Sequence, residues 1–164
     1  MNGRNSFDRR EKLFDAVNVR LLSELHTDPR LSMSELARRV GMSAPAVTER
    51  VQRLEKAGVI VGFRMDVDPA ALGMPVTALV RIRPGPGQLP RIAEAARETP
   101  QVVECHRVTG EDCFFLKMHA PSIGQLEDVL DRFLLFGQTT TSIVVSTPVP
   151  TRPLPLPGPA QNDA

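Results

Sequence analysis

The chain has 164 residues, room for one ordinary domain or two small ones, and 41% of them are apolar, as in a soluble globular protein rather than a disordered or membrane one. No window approaches the roughly eighteen uninterrupted apolar residues of a membrane span, and the opening MNGRNSFDRREKLFDAV is charged where a secretory signal needs an apolar stretch, so no membrane partner and a cytoplasmic location are expected. The net charge of +1 is shared unevenly: residues 1–65 carry 12 Lys and Arg against 8 Asp and Glu (+4), and residues 66–164 carry 8 against 11 (−3), as expected if the front half meets phosphate and the rear half does not.

Residues 1–13 are polar and offer nothing periodic to bury, which predicts a flexible arm. From Asp15, a candidate cap, the run AVNVRLLSELH sets Val17, Leu21, Leu22 and Leu25 at helical spacing until Asp28–Pro29 stops it. A second helix fits SELARRV, capped by Ser34, presenting Leu36, Ala37 and Val40 and ending at Gly41. Ser43 then caps a third, with Pro45 in its first turn and Val47, Val51 and Leu54 as the buried stripe, until Gly58. These elements make residues 14–65 one domain. VIVGFRMDV follows as a β-segment, and the turn chemistry of residues 66–75 as a linker.

Residues 76–148 alternate strand VTALVRIR, helix QLPRIAEAARE, strand QVVECHRVT, turn GED, strand CFFLKMHA, helix SIGQLEDVLDRFLLF and strand TTTSIVVST. This βαββαβ order predicts a ferredoxin-like four-stranded antiparallel sheet with both helices on one face, an α+β fold. Leu79 and Ile82, Val103 and Val108, and Phe114 and Phe115 put apolar side chains on both faces, so the uncovered face calls for a second copy and a homodimer. Cys105 and Cys113 fall in a hairpin turning at Gly110–Glu111, where Cys113 stands opposite Val108, so two buried free thiols are expected rather than a disulfide. Residues 149–164, with proline at almost every second or third position, read as a disordered, extended tail.

In MSELARRVGMSAPAVTERVQRLEKAGVI, two helices are joined by a short turn at Gly41–Ser43, and the second turns Pro45, Thr48, Glu49, Gln52 and Arg53 outward. That pattern fits double-stranded DNA. Ala44, Pro45, Thr48 and Glu49 lie where a recognition helix reaches base edges, with Ser43 at its cap and Gln52 farther along, and Arg38, Arg39, Arg50 and Arg53 suit phosphates. The alternative is a plain three-helix bundle with a solvated charged face.

The helix-turn-helix, GVIVGF, DPAALG, GEDCFFLKM and GQTTTSIVVSTP together resemble the Lrp/AsnC family of feast-or-famine regulators over about residues 14 to 148. The resemblance implies a winged helix-turn-helix joined to a βαββαβ domain that binds a small effector, an amino acid, and assembles as homodimers and higher oligomers, octamers among them. It places the effector between dimers, against the loop Gly110, Glu111, Asp112 and Cys113 and the loop Gly137, Gln138, Thr139, Thr140 and Thr141. Glycines there allow close backbone approach, carboxylates can pair with an α-ammonium and hydroxyls can hold a carboxylate; a hairpin turn and a helix stop without ligand are the alternative. Cys113 stands where many members carry Asp, and Asn18 where a second Asp is common, which is expected to touch a cap or surface contact.

An enzyme is the first rival, since the rear half holds His106, His119, Cys105 and Cys113, but no CxxC, HxxxH or nucleophile elbow appears and no metal or cofactor is expected. The second rival is an architectural DNA protein that ignores small molecules, which shares every feature except the rear cleft.

Overall fold

The structure, a computed structural model, describes residues 13–158. Most of the expected arm, residues 1–12, and the end of the tail, residues 159–164, lie outside them. One compact unit runs to Met65 and takes in the chain from Thr151; the other spans Asp66–Pro150.

In the first unit, α1 (Ala16–Thr27), α2 (Met33–Val40) and α3 (Ala44–Lys56) pack around Leu21, Leu25, Leu36, Ala37, Val47 and Val51. Asp15 caps α1 as expected, its carboxylate accepting from the Asn18 amide at 2.7 Å. The cap of α2 is Ser32 rather than Ser34: Ser32 Oγ accepts from the Glu35 amide, so Ser34 falls inside the helix. Gly41 ends α2 at φ 71°, a left-handed conformation that a β-carbon disfavours, and this lets the chain turn directly into α3. Ser43 precedes α3 in extended conformation, but its side chain makes no capping bond.

The expected β-segment VIVGFRMDV forms no strand. A ladder needs a neighbour, and no described segment pairs with it, although Val61, Phe63, Met65 and Val67 repeat with period two and stand exposed. The tail is not simply a solvated end. Pro153 helps line a groove of about 250 Å³ with Leu22, Leu25, His26 and the 59–64 segment, and Leu156 is half-buried.

The second unit follows the predicted order: β1 (Val76–Pro84), α4 (Leu89–Glu98), β2 (Val102–Arg107), β3 (Phe114–Ala120), α5 (Ile123–Leu134) and β4 (Gly137–Ile143). The strands lie in the order β2-β3-β1-β4, all neighbours antiparallel. Ala78, Val80 and Ile82 of β1 and Phe114, Leu116, Met118 and Ala120 of β3 are buried with Ile92 and Ala96 of α4 and Leu126, Val129 and Phe133 of α5, so both helices cover one face.

The other face carries Leu79, Arg81, Glu104, His106, Phe115, Lys117 and Ser142 around a depression of about 340 Å³. As the alternation predicts, Ile82 and Phe114 belong to the core while Leu79 and Phe115 stand exposed on this face, where Glu104 pairs with His106 and Lys117 at 3.4 and 3.5 Å. The thiols are free but not buried: Cys105 is exposed on an edge strand and Cys113 is half-buried. Cys113 does stand opposite Val108, whose amide donates to its carbonyl at 2.8 Å.

Candidate DNA interface and effector site

On α3, Val47, Val51 and Leu54 face inward, and Ser43, Pro45, Glu49, Gln52 and Arg53 stand exposed, while Ala44 and Thr48 are half-buried. The Thr48 hydroxyl donates to the Ala44 carbonyl at 2.9 Å, which spends its proton and leaves oxygen lone pairs and the methyl for a partner. Arg53 pairs with Glu49 at 2.6 Å, an exposed i,i+4 contact of about 0.3–0.5 kcal/mol that a nucleic acid can open cheaply.

The arginines divide by what they already hold. Arg38 is bonded to Glu35 yet its side chain is 76% exposed, so it remains available at the surface. Arg39 joins α1 to α2, reaching Glu24 at 2.9 Å and Glu35 at 3.2 Å, and Arg39 foremost, with Arg38, holds the Glu35 carboxyl below its usual range. Arg50 departs from the expectation of a phosphate contact. Its guanidinium turns to the start of α1, donating to Asp15 at 2.7 Å and to the Asn18 side chain at 3.0 Å. Burial opposes the charge on Asp15, but the bonds from Arg50 and the Asn18 amide outweigh it and hold the carboxyl below its ordinary value. Asn18 is thereby a buried junction rather than a surface residue; its amide group also donates to the Leu13 carbonyl at 3.2 Å.

In the rear unit the two expected effector segments meet at one end of the sheet, where β1 ends and β3 and β4 begin. The tip Gly110 to Cys113 is a connection as expected, with Gly110 at φ 110° and the Cys113 thiol bonded back to the Gly110 carbonyl at 3.1 Å. Gly137 to Thr141 is not a loop: these residues are β4 itself, paired with β1 from Pro84↔Gly137 to Val80↔Thr141. Register divides them. Gln138 and Thr140 stand opposite Arg83 and Arg81 and share the open face, whereas Thr139 and Thr141 stand opposite Ile82 and Val80 and share the helix-covered face.

Two residues absent from the expectation lie between these segments. Arg83 pairs with Glu111 at 2.7 Å and with Asp112 at 3.4 Å, and Arg81 approaches Asp112 at 3.6 Å. Their signal was readable in part: the alternation of VTALVRIRP puts Arg81 and Arg83 on one face opposite Val80 and Ile82, but nothing local announces the carboxylates about 30 residues on. The residues of the enzyme reading are scattered. Cys105 and His106 occupy opposite faces of β2, and His119 bonds Thr77 at 3.0 Å, its imidazole kept below its usual pKa by burial and then by Lys117.

Residues 14–61 match the winged helix-turn-helix DNA-binding family, and residues 77–154 match the Lrp/AsnC ligand binding domain. The chain belongs to the Lrp/AsnC family of transcriptional regulators. The HTH-type transcriptional regulator LrpC of Bacillus subtilis is 34% identical over 132 residues, 80% of this chain and 92% of LrpC. LrpA of Mycobacterium tuberculosis is 37% identical over 136 residues, 81% of this chain and 91% of LrpA. Among solved structures, B. subtilis LrpC aligns with a TM-score of 0.78 at 33% identity, covering 84% of this chain and 98% of that one. A feast or famine regulatory protein from M. tuberculosis complexed with L-methionine aligns with a TM-score of 0.80 at 33% identity, covering 88% and 99%.

Within the Lrp/AsnC family the chain is thus a DNA-binding regulator with a ligand-binding rear domain, not an enzyme. The Lrp/AsnC domain here has its own charge arrangement: Cys113 closes the hairpin tip through its thiol, and Asp112 supplies the neighbouring carboxylate and turns it to Arg81 and Arg83. Among the described residues no helix is long and apolar enough to cross a membrane.

Proposed function

We propose that the chain binds double-stranded DNA as a homodimer or larger assembly by setting the start of α3 into successive major grooves, and that an amino acid held in the Lrp/AsnC domain tunes that binding. In this reading Ala44, Pro45, Thr48, Glu49 and Gln52 meet base edges, the backbone at Ser43 approaches a phosphate, and Arg38 and Arg53 neutralise phosphates. The exposed Glu49–Arg53 pair supports it: once opened, it yields an acceptor for cytosine and a cation for the backbone.

The observation that carries the effector half is the convergence of Glu111, Asp112, Gln138 and Thr140 on the end of β1, which brings anionic and hydroxyl groups together as a zwitterion requires. The M. tuberculosis relative complexed with L-methionine supports the same ligand class. Dimerisation fits the open sheet face, where Leu79 and Phe115 stand exposed inside a ring of charge. A purely architectural DNA protein would leave a matched ligand-binding domain without a ligand and is the weaker account.

Light scattering coupled to size exclusion tests the assembly and the response together. A dimer or multiple of dimers whose distribution shifts with one amino acid is the expected result; a monomer, or a mass indifferent to all twenty, contradicts it.

A further inference from the structure

We propose that Arg81 and Arg83 are the carboxylate-binding residues of the effector site, and that an α-amino acid binds by exchanging ion pairs with Glu111 and Asp112. The inference rests on the reading that the rear domain binds an amino acid, and it assigns the chemistry of that site.

The two arginines sit two residues apart on β1, which puts their Cα atoms roughly 6–7 Å apart on the same face. They stand between the hairpin tip and β4, opposite Thr140 and Gln138. In the free chain each is already engaged: Arg83 with Glu111 at 2.7 Å and Asp112 at 3.4 Å, Arg81 with Asp112 at 3.6 Å. Two cations and two anions thus neutralise one another within the site. In the single chain all four groups retain solvent contact, from 29% for Asp112 to 77% for Glu111, so these pairs are weak and easily exchanged. Arg81, opposite Phe115, borders the face proposed for a second copy and forms the inner end of the site, and Arg83, one step nearer the strand end, forms its outer end.

A zwitterion carries the same two charges in one molecule. Its carboxylate replaces Glu111 or Asp112 on the guanidinium fork, and the freed carboxylate receives the α-ammonium; displacing Glu111 breaks one ion pair and makes two, displacing Asp112 breaks two and makes two, and net charge stays constant. A ligand with only one of the two groups leaves a site charge without a partner. The exchange also has a mechanical consequence. Glu111 and Asp112 are the tie between the hairpin tip and the end of β1, so occupancy loosens that tie, and a bound molecule becomes a displaced loop at the edge of the domain.

Isothermal titration of the full chain with each of the twenty L-amino acids, followed by the carboxamide of any that binds, tests the assignment. The carboxamide keeps the ammonium and lacks the carboxylate. The wild-type chain is expected to bind the acid about tenfold or more tightly than the amide. Arg83→Ala and Arg81→Ala should weaken the acid and spare the amide, so that the ratio collapses toward one; Arg83→Lys should keep part of it. Unchanged thermal unfolding checks that the fold survives, and a residue of merely structural importance would weaken acid and amide alike. An acid-to-amide ratio unaltered in all three variants overturns this inference and leaves the amino-acid reading standing. A wild-type chain that binds none of the twenty overturns both.

Discussion

Asp15 and Arg50, 35 residues apart in the chain, meet at 2.7 Å and share the buried Asn18, so a cap on α1 and a residue of α3 form one network. The Asp15 carboxyl is held below its unfolded value near 3.8, so the unfolded chain takes up the proton first. The stabilisation is therefore complete above that value and is lost as pH falls through the folded pKa. Asp15→Asn, which keeps a capping oxygen, should cost about 1 kcal/mol in denaturant unfolding at neutral pH and almost nothing in strong acid; a difference that persists unchanged in acid would refute the charge pairing. This network was not legible in the sequence: Arg50 lies on α3 among residues of the exposed face, and only the packing of α1 against it shows which way it turns. Among the described residues Arg53 has no such tie outside its own helix. Arg53→Ala should weaken binding to every DNA sequence and make the salt dependence shallower by about one unit of slope, whereas Thr48→Ala should relax sequence preference; a loss at one operator with the slope intact would remove Arg53 from the phosphates.

At the scale of elements, period and punctuation found helices α1 to α5 and the central strands β1 and β3 because each carries buried apolar residues at its own period: Leu36 and Ala37 on α2, Val47, Val51 and Leu54 on α3, Ala78, Val80 and Ile82 on β1. The edge strands β2 and β4 hold no fully buried residue and followed from alternation and their place in the βαββαβ order. The periodicity set the start of β4 two residues late, at Thr139, because Gly137 and Gln138 have turn composition and no apolar side chain, and the resemblance extended that loop to Thr141. Pairing with β1 makes it a strand, a tertiary effect that local propensity does not contain. Gly137 marks the cost of that pairing: a β-carbon there would sit 2.2 Å from the Arg83 carbonyl oxygen. Gly137→Ala should destabilise by about 1–3 kcal/mol and disturb both effector segments. Gly124→Ala, in α5, where a β-carbon would meet none of the described residues beyond its own helix within 4 Å, should instead stabilise by up to about 1 kcal/mol. Equal stabilities for the two variants in urea unfolding would mean that β1 and β4 do not approach so closely. The Ser32 cap was present in the sequence as Ser-x-x-Glu, with Glu35 three residues on, and its signal was masked by the second serine at 34.

At the scale of the whole molecule the charge split agrees with the division of labour: the half of the chain carrying the helix-turn-helix is net +4 and the half carrying the Lrp/AsnC domain is net −3. In the proposed account attraction to phosphate belongs to the front, and modulation to groups at the end of the rear sheet that are paired in the free chain. Composition and order revealed that division because both domains repeat their burial pattern at the helical or strand period. Which carboxylate faces which arginine could not be read the same way, since it depends on a hairpin folding back onto β1. The decisive measurement is a fluorescence anisotropy titration of DNA selected by the protein from a random pool, at fixed salt, with and without each amino acid. The affinity should move by about fivefold or more with at least one of them, and Gly110→Val, which disfavours the loop's φ of 110°, should abolish the shift while leaving the amino-acid-free affinity in place. An affinity that stays constant across all twenty amino acids would contradict the account.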